Sequence, residues 1–259
     1  MRIQRRTTPR RAAHVPPSPR ATPAGRGFTI VELLVCIGVV ALLCGILLPA
    51  LRTTRESSMR LKCQANLHTI GCALAAYANV NDERLPPSVF AMPGQRDPAS
   101  MNTAWLGSVS GATVTKRWDG IGMLVKGGYL HDAGCECLYC PSHHGDHPVD
   151  RYRESFNQPA DDPIVTNYQY SGHIDRAGTR ISMNDGSERM LVTDALRSRA
   201  DFNHRCGANR LFADLHTDWW YDYMDSLAKQ LPGSSSDGAL PSAALYEDFW
   251  ATVEQTNDE

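Results

Sequence analysis

The chain lacks several features that would place it in a familiar class of soluble enzymes. Its 259 residues contain no G-x-S-x-G, no H-E-x-x-H and no glycine-rich phosphate loop. Residues 1–26 contain no acidic side chain, and no proline interrupts Ala50 to Leu85. The sequence therefore contains no recognised catalytic motif. Its N-terminal stretch is purely basic, and the segment from Ala50 to Leu85 can form a helix without interruption by proline.

The basic stretch is rich in arginine and proline. It holds seven arginines, at positions 2, 5, 6, 10, 11, 20 and 26, whereas the whole chain has a formal net charge of −2, so the remainder carries −9. Its prolines disfavour helix and strand. The positive-inside rule places this leader in the cytoplasm and the acidic bulk across a membrane. Nucleic-acid binding is the alternative, but no aromatic residues are interleaved with the arginines, so none is expected.

An apolar run follows the leader and is long enough to cross a bilayer. From Phe28 to Leu51 only Glu32 is ionisable. A helix of this length spans roughly 36 Å, against about 30 Å for a bilayer core. A charge within such a run is costly, which argues for a role of Glu32. A conventional signal peptide is the alternative, although a clean A-x-A site after the run is missing.

The segment Gly27-Phe28-Thr29-Ile30-Val31-Glu32 resembles the class III signal of type IV prepilins and of type II secretion pseudopilins. The resemblance implies that a prepilin peptidase cleaves after Gly27 and that the new N-terminal residue, Phe28, is methylated. It also implies that Glu32 pairs with the amino group of Phe28 in a neighbouring subunit during assembly. Pro49 occupies the position at which many pilins carry a helix-kinking proline.

Beyond the apolar run, apolar residues recur at helical spacing. The stripe consists of Met59, Cys63, Leu67, Ile70, Leu74 and Tyr77. We therefore predict one helix over residues 28–79, membrane-spanning over 28–51 and amphipathic thereafter. Together with predicted strands near 168–170, 189–194, 209–213 and 216–220, this gives an α+β fold. The pilin resemblance implies a long helix packed on a small antiparallel-sheet head with long loops.

Three further segments resemble a group of pilin-like proteins. They are C-x-x-N-L-x-x-I-G over Cys63–Gly71, C-P-S over Cys140–Ser142, and an H-x9-D-G signature matched by His204 and Asp214. Leu215 replaces the glycine of the last motif, and Leu tolerates the positive φ of a hairpin turn poorly. We expect His204 and Asp214 to be hydrogen-bonded in one sheet-and-turn unit, with a structural role.

Cysteines and histidines cluster before the middle of the head. Cys137-x-x-Cys140, followed by His143 and His147, has the spacing of a zinc site. An oxidising compartment instead favours a disulfide among Cys135, Cys137, Cys140 and Cys206. Free thiols are the third alternative. No cofactor is predicted apart from the structural metal ion that the first alternative would bind.

The predicted organisation is a leader over 1–27, the long helix over 28–79, a head over 80–222, and a C-terminal helix, linker and acidic tail over 223–259. The predicted function is that of a non-enzymatic pilin or pseudopilin subunit of the inner membrane, with its head extracytoplasmic. Its expected partners are the prepilin peptidase, other subunits, the assembly platform and lipid. A membrane-anchored metal-dependent hydrolase and an extracytoplasmic binding module are the alternatives.

Overall fold

The computed structural model describes residues 28–89, 101–108, 116–130, 134–174, 179–186, 188–194, 197–204, 206–233 and 243–255. The predicted leader, including Gly27, lies outside these residues. The chain divides into two compact units, Met1–Pro49 and Ala50–Glu259.

The first helix, α1, extends over Ile30–Val80 and includes Pro49. The predicted helix over residues 28–79 is thereby confirmed to within two residues. Among the described residues, α1 is the one helix that is long and apolar enough to cross a membrane, and the apolar window is 0% buried. At its start Thr29 and Glu32 cap each other: the Thr29 backbone N–H and hydroxyl donate to Glu32 Oε2 (2.9 and 2.8 Å), and Glu32 N donates to Thr29 Oγ1 (3.2 Å).

The second unit contains a four-stranded antiparallel sheet in the order β3-β4-β5-β6. Its strands are β3 (Tyr168–Tyr170), β4 (Met190–Asp194), β5 (Gly207–Phe212) and β6 (Thr217–Tyr221). All four were expected from the sequence, and the α+β class is confirmed. A separate pair consists of β1 (Thr103–Trp105) and β2 (Ile164–Val165).

Both faces of the four-stranded sheet are covered. Successive residues of a strand point to opposite faces, and each face contributes to a separate hydrophobic core. Leu211 belongs to a core that includes Leu67, Ile70 and Leu74 of the apolar stripe of α1. Its neighbour Phe212 belongs to a second core on the C-terminal segment. Glycine at position 71 leaves room for this contact with α1, because a Cβ there would lie 2.9 Å from Leu211 Cδ1 and would force that side chain to shift.

The remaining helices differ in part from expectation. The segment Gly120–Lys126, which two glycines follow, predicts a short helix, and the structure forms α2 (Gly122–Lys126) there. The next helix, α3 (Val149–Asn157), was not predicted, although Tyr152 and Phe156 form a buried i, i+4 pair. The C-terminal helix, α4 (Ala243–Glu254), forms where the sequence predicts a helical acidic tail, and its Phe249 and Val253 belong to the second core.

The C-terminal helix predicted at the start of residues 223–259, around Met224–Leu231, does not form. Only a single 3-10 turn forms, over Tyr223–Asp225, and Met224 has a positive φ of 61°. The physical reason is Asp222, whose carboxylate accepts hydrogen bonds from Ser226 Oγ and from the backbone N–H groups of Leu227 and Ala228, each 2.9 Å long. These bonds stabilise a compact turn that competes with helix.

Candidate functional site

Four side chains with metal-binding atoms meet in the interior of the second unit. They are Cys63 of α1, Cys140 after the 3-10 helix Gly134–Leu138, Asp194 at the end of β4, and His204 in the loop before β5. All four are buried, and their ligating atoms lie within 4.8 Å of one another. We call this group the four-residue cluster.

Backbone and side-chain contacts hold each member in place. Cys63 lies on the buried stripe of α1, and the Cys140 N–H donates to Asn167 Oδ1 (3.3 Å). Asp194 Oδ2 accepts from both the backbone N–H and the Nδ2 of Asn209, at 2.7 and 3.0 Å. The cluster therefore links a helix, a strand and two loops that are distant in the sequence.

His204 has a distinct partner on each ring nitrogen. Its Nδ1 lies 2.8 Å from Glu56 Oε1, so a proton on Nδ1 is donated to that carboxylate. Its Nε2 faces the interior, 3.4 Å from Cys140 Sγ and 3.7 Å from Asp194 Oδ2. The ring is oriented by Glu56 and presents Nε2 to the other three members.

The two thiols differ in their surroundings. Cys63 Sγ donates to Asp194 Oδ1 (2.9 Å) and lies 3.1 Å from the Tyr168 hydroxyl. Burial raises the pKa of Cys63, and its hydrogen bond to Cys140 and the charge of Asp194 raise it further. Burial also raises the pKa of Cys140, but hydrogen bonds from Cys63 and His204 outweigh it and hold that pKa below its ordinary value.

The protonated imidazole of His204 is favoured by its neighbours. Burial alone would lower the pKa of His204, but the hydrogen bond to Cys140 and the charge of Asp194 prevail, with help from Glu56, and raise it to about 9. In the absence of a metal, His204 therefore carries the positive charge that compensates the buried Asp194.

The predicted zinc ligands do not converge. Cys140 belongs to the four-residue cluster, whereas Cys137 Sγ donates to the Gly134 carbonyl (3.3 Å). His143 uses both nitrogens, donating from Nδ1 to Asn203 Oδ1 (2.8 Å) and accepting at Nε2 from the His147 N–H (3.2 Å). The prediction of a single metal site is therefore wrong for the set Cys137, Cys140, His143 and His147. The hydrogen bonds direct these side chains to different partners.

His147 belongs to a separate network around Asp201. Its Nδ1 donates to Asp201 Oδ1 (3.2 Å), while Ser198 Oγ donates to Asp201 Oδ2 (2.8 Å). Burial raises the pKa of Asp201, but these hydrogen bonds outweigh it and lower the value overall. Burial lowers the pKa of the neighbouring His143. Asp201 and Ser198 lie in the loop before β5, so the network ties His147 to that loop.

The expected disulfide is not formed: all eight cysteines are free in the structure. Cys135, Cys137 and Cys206 do not pair with Cys140, because the Cys140 side chain is turned into the core toward Cys63 and His204. Cys206 Sγ instead accepts a hydrogen bond from Arg60 Nη2 (2.7 Å). The other thiol of the four-residue cluster is therefore Cys63 of α1, and not Cys135, Cys137 or Cys206.

The expected hydrogen bond between His204 and Asp214 is wrong. Asp214 lies in the exposed β5–β6 turn, where its Oδ1 accepts from the His216 N–H (3.0 Å) and pairs with the His216 ring. His204 is turned inward to the four-residue cluster. The motif residues thus belong to neighbouring structural elements but to different hydrogen-bond networks.

Other predicted residues have well-defined surroundings. Phe28 is exposed (71%), and Glu32 forms the reciprocal cap with Thr29 described above. Pro49 lies within the continuous helix α1, so its proposed effect on helix bending stays a prediction. Asn66 contacts the head, donating from Nδ2 to the Tyr139 carbonyl and to the Tyr168 hydroxyl, both at 3.2 Å.

Sequence reasoning missed two members of the cluster as candidate ligands. Cys63 was identified within the C-x-x-N-L segment but was interpreted as a residue of the apolar stripe. Asp194 was seen only as the end of a strand, and Glu56 as part of a polar stretch. The available signal was that each of Cys63, Cys140 and His204 is the first residue of one of the three motifs described above. That these residues come together can be seen only once the fold is known.

Comparison of the chain with protein-family models, with curated proteins and with solved structures finds no match.

Proposed function

We propose that this protein is a membrane-anchored, pilin-like structural subunit that a prepilin peptidase processes and that assembles into a type IV pilus-like or type II secretion filament. The observation that carries the proposal is the exposed apolar run Phe28–Leu51, most of which belongs to α1. This run follows Gly27 directly and includes a single charge, Glu32. Large apolar side chains along this segment, such as Leu42 and Ile46, are about two-thirds exposed (67% and 66%). Exposed apolar surface on this scale needs lipid or other subunits to cover it.

The remainder of α1 supports a structural role for the head. Leu67, Ile70 and Leu74 are fully buried in the core, so this part of the helix is an integral element of the second unit. In the proposed arrangement the apolar half anchors the precursor in the cytoplasmic membrane with the basic leader inside and the head outside. The same half then packs against neighbouring subunits in the filament.

Glu32 supplies the proposed assembly contact. Cleavage after Gly27 would create a free amino group on Phe28, and a glutamate of a neighbouring subunit would neutralise it in a medium of low polarity. Within a single chain, however, Glu32 also accepts two hydrogen bonds from Thr29. A test must therefore separate the charge of Glu32 from its capping function.

Three variants make this separation. Glu32→Gln keeps a capping acceptor but loses the charge, Glu32→Ala loses both, and Thr29→Val loses the hydroxyl bonds but keeps the charge. In-cell crosslinking should show that both Glu32 variants insert into the membrane but fail to form subunit ladders, whereas Thr29→Val assembles. Assembly of Glu32→Gln at the wild-type level, together with failure of Thr29→Val, would attribute the residue to capping and contradict the proposed charge pairing.

A further inference from the structure

The geometry points to a structural zinc site formed by Cys63, Cys140, Asp194 and His204. Two sulfurs, one nitrogen and one carboxylate oxygen form a donor set typical of Zn²⁺, whereas Mg²⁺ and Ca²⁺ prefer oxygen ligands. This inference does not depend on the proposed filament role. It concerns a different set of residues from the C-x-x-C and histidine pattern that the sequence suggests.

The spacing of the donor atoms is close to that of a tetrahedral site. With Zn–S bonds of about 2.3 Å and Zn–N or Zn–O bonds of about 2.0–2.1 Å, ligand atoms lie roughly 3.3–3.8 Å apart. Cys140 Sγ is 3.4 Å from His204 Nε2, and the ligating atoms of all four residues lie within 4.8 Å of one another. Cys63 Sγ, at 2.9 Å from Asp194 Oδ1, would have to move away by roughly half an ångström.

The surrounding hydrogen bonds orient the ligands, although Asn209 Nδ2, which lies 3.4 Å from His204 Nε2, would keep only its bond to Asp194 Oδ2 once an ion is bound. Glu56 accepts the proton on His204 Nδ1, which directs the lone pair of Nε2 to the centre of the cluster. Asn209 donates twice to Asp194 Oδ2, so Oδ1 is available once the Cys63 proton has left. The Tyr168 hydroxyl, 3.1 Å from Cys63 Sγ, can donate to the thiolate. Such outer contacts are what orients the ligands of metal sites.

Binding of an ion would change the charge of the cluster. Asp194 is fully buried, and Zn²⁺ would displace the protons of both thiols and any proton on His204 Nε2, all of which pass to solvent. The three negative ligands and the dication then leave one net negative charge. The two hydrogen bonds from Asn209 to Asp194 Oδ2, and the Tyr168 hydroxyl beside Cys63 Sγ, would stabilise that charge. Arg60, whose Nε lies 3.5 Å from Glu56 Oε1, offsets the charge of that neighbouring carboxylate.

An entry path exists beside His204. A surface groove is lined by residues that include Glu56, Arg60, Ser142, His204 and Cys206. Side-chain movement of Glu56, which is 39% exposed, would open the cluster to this groove. A bound ion would connect α1 to three segments that lie more than 70 residues further along the chain, which is the arrangement in which a crosslink stabilises most.

The principal competitor is a disulfide between Cys63 and Cys140, which would use the same sulfurs and prevent metal binding. Full-length protein purified in detergent without chelator, and analysed for zinc by mass spectrometry, distinguishes the two. We expect about one zinc per chain in the wild type, and a loss of at least tenfold in Cys63→Ser, Cys140→Ser and His204→Ala. Cys137→Ser and Cys206→Ser are matched controls that should retain the ion.

A second measurement uses only the wild-type chain, so that it stands even if a ligand variant fails to fold. After removal of metal under reducing conditions, Co²⁺ should bind with the intense visible absorption of a tetrahedral site and with thiolate-to-cobalt charge transfer, and Zn²⁺ should abolish both. Absence of these bands, loss of zinc in the Cys137→Ser control to the same extent, or a native Cys63–Cys140 disulfide in the non-reduced peptide map would each overturn the proposal.

Discussion

At the scale of single residues, the β5–β6 turn places Leu215 in the left-handed region, with a φ of 71°. A glycine would adopt this conformation without strain, whereas Leu215 must adopt it with a Cβ. The Leu215 side chain is half-buried and approaches Gly71, where its Cδ2 would be 3.1 Å from a Cβ. Packing against α1 thus offsets part of the backbone strain.

A pair of substitutions separates the two effects. Leu215→Ala and Leu215→Gly remove the same packing, but only glycine relieves the positive φ. We expect Leu215→Gly to be more stable than Leu215→Ala by about 1 kcal/mol, which reverses the usual order of these residues. Midpoints of urea unfolding measure the difference. Alanine equal to or more stable than glycine would show that the turn is not strained.

Asp119 provides a pH-dependent contribution to stability. Its carboxylate accepts from the Val89 N–H (3.0 and 3.1 Å) and from Ser88 Oγ (3.2 Å). Burial raises the pKa of Asp119 to about 6, against the lowering effect of these hydrogen bonds and of Arg117. Because the folded state holds the proton more tightly than the unfolded state, the stabilising effect is full below pH 3.8 and is lost as the pH rises through about 6.

The predicted cost of ionising Asp119 in the folded protein is about 3 kcal/mol, at about 1.4 kcal/mol per pKa unit. Asp119→Asn keeps an acceptor for Val89 but cannot ionise. Chemical denaturation between pH 4 and pH 7 should therefore show a flatter loss of stability in the variant than in the wild type. Parallel profiles for the two proteins would refute the assignment of this titration to Asp119.

At the scale of secondary-structure elements, Arg210 connects α4 to the sheet through hydrogen bonds. This side chain is 2% exposed. Its Nη1 donates to the carbonyls of Val253 (2.5 Å) and Gln255 (2.9 Å) at the end of α4, and its Nε donates to Asp218 of β6 (2.7 Å). A cation at a helix C-terminus also complements the helix dipole.

Arg210→Met keeps the apolar volume but leaves these carbonyls and Asp218 without their donor. We expect a loss of about 2–4 kcal/mol in the free energy of unfolding, since the buried Val253 carbonyl remains unsatisfied and the half-buried Asp218 loses its ion pair. Hydrogen exchange should accelerate first in α4. Arg153→Met is the matched control, because Arg153 forms ion pairs only at the surface with Glu136 and Asp150 and should leave the exchange of α4 unchanged. Uniform acceleration across the sheet in Arg210→Met would argue against a local fastening.

At the scale of the whole molecule, the proposed filament role requires removal of the leader before assembly. The mature protein should begin at Phe28, and its N-terminus should be methylated. Mass spectrometry of protein from cells with and without a prepilin peptidase measures this, and cells without the peptidase should contain only the full-length chain. A mature protein that begins beyond Leu51 would indicate a conventional secretory leader and contradict the proposal.

The zinc site and the leader act on different parts of the chain, so their tests are independent. Loss of zinc should destabilise the head without changing the position of cleavage. Failure of cleavage, in turn, would leave the four ligands and their geometry unaltered.

Elements with a local pattern can be predicted from the amino-acid sequence alone. The amphipathic spacing of Leu67, Ile70 and Leu74 defines the buried face of α1, because residues three and four apart share one side of a helix. Alternation along β5 likewise predicts two faces, which Leu211 and Phe212 occupy. The length and composition of Phe28–Leu51 were sufficient to predict a helix able to span a membrane.

The contacts between polar side chains that are distant in the sequence can be identified only from the tertiary structure. Cys63 and His204 are 141 positions apart, and their contact with Cys140 and Asp194 depends on how α1 packs on the sheet. The spacing of Cys137, Cys140, His143 and His147 suggested a local site, but hydrogen bonds to Asn203, Asp201 and Gly134 direct three of these side chains elsewhere. Short-range spacing constrains backbone geometry, whereas ligand convergence is a long-range property that the packing of the core determines.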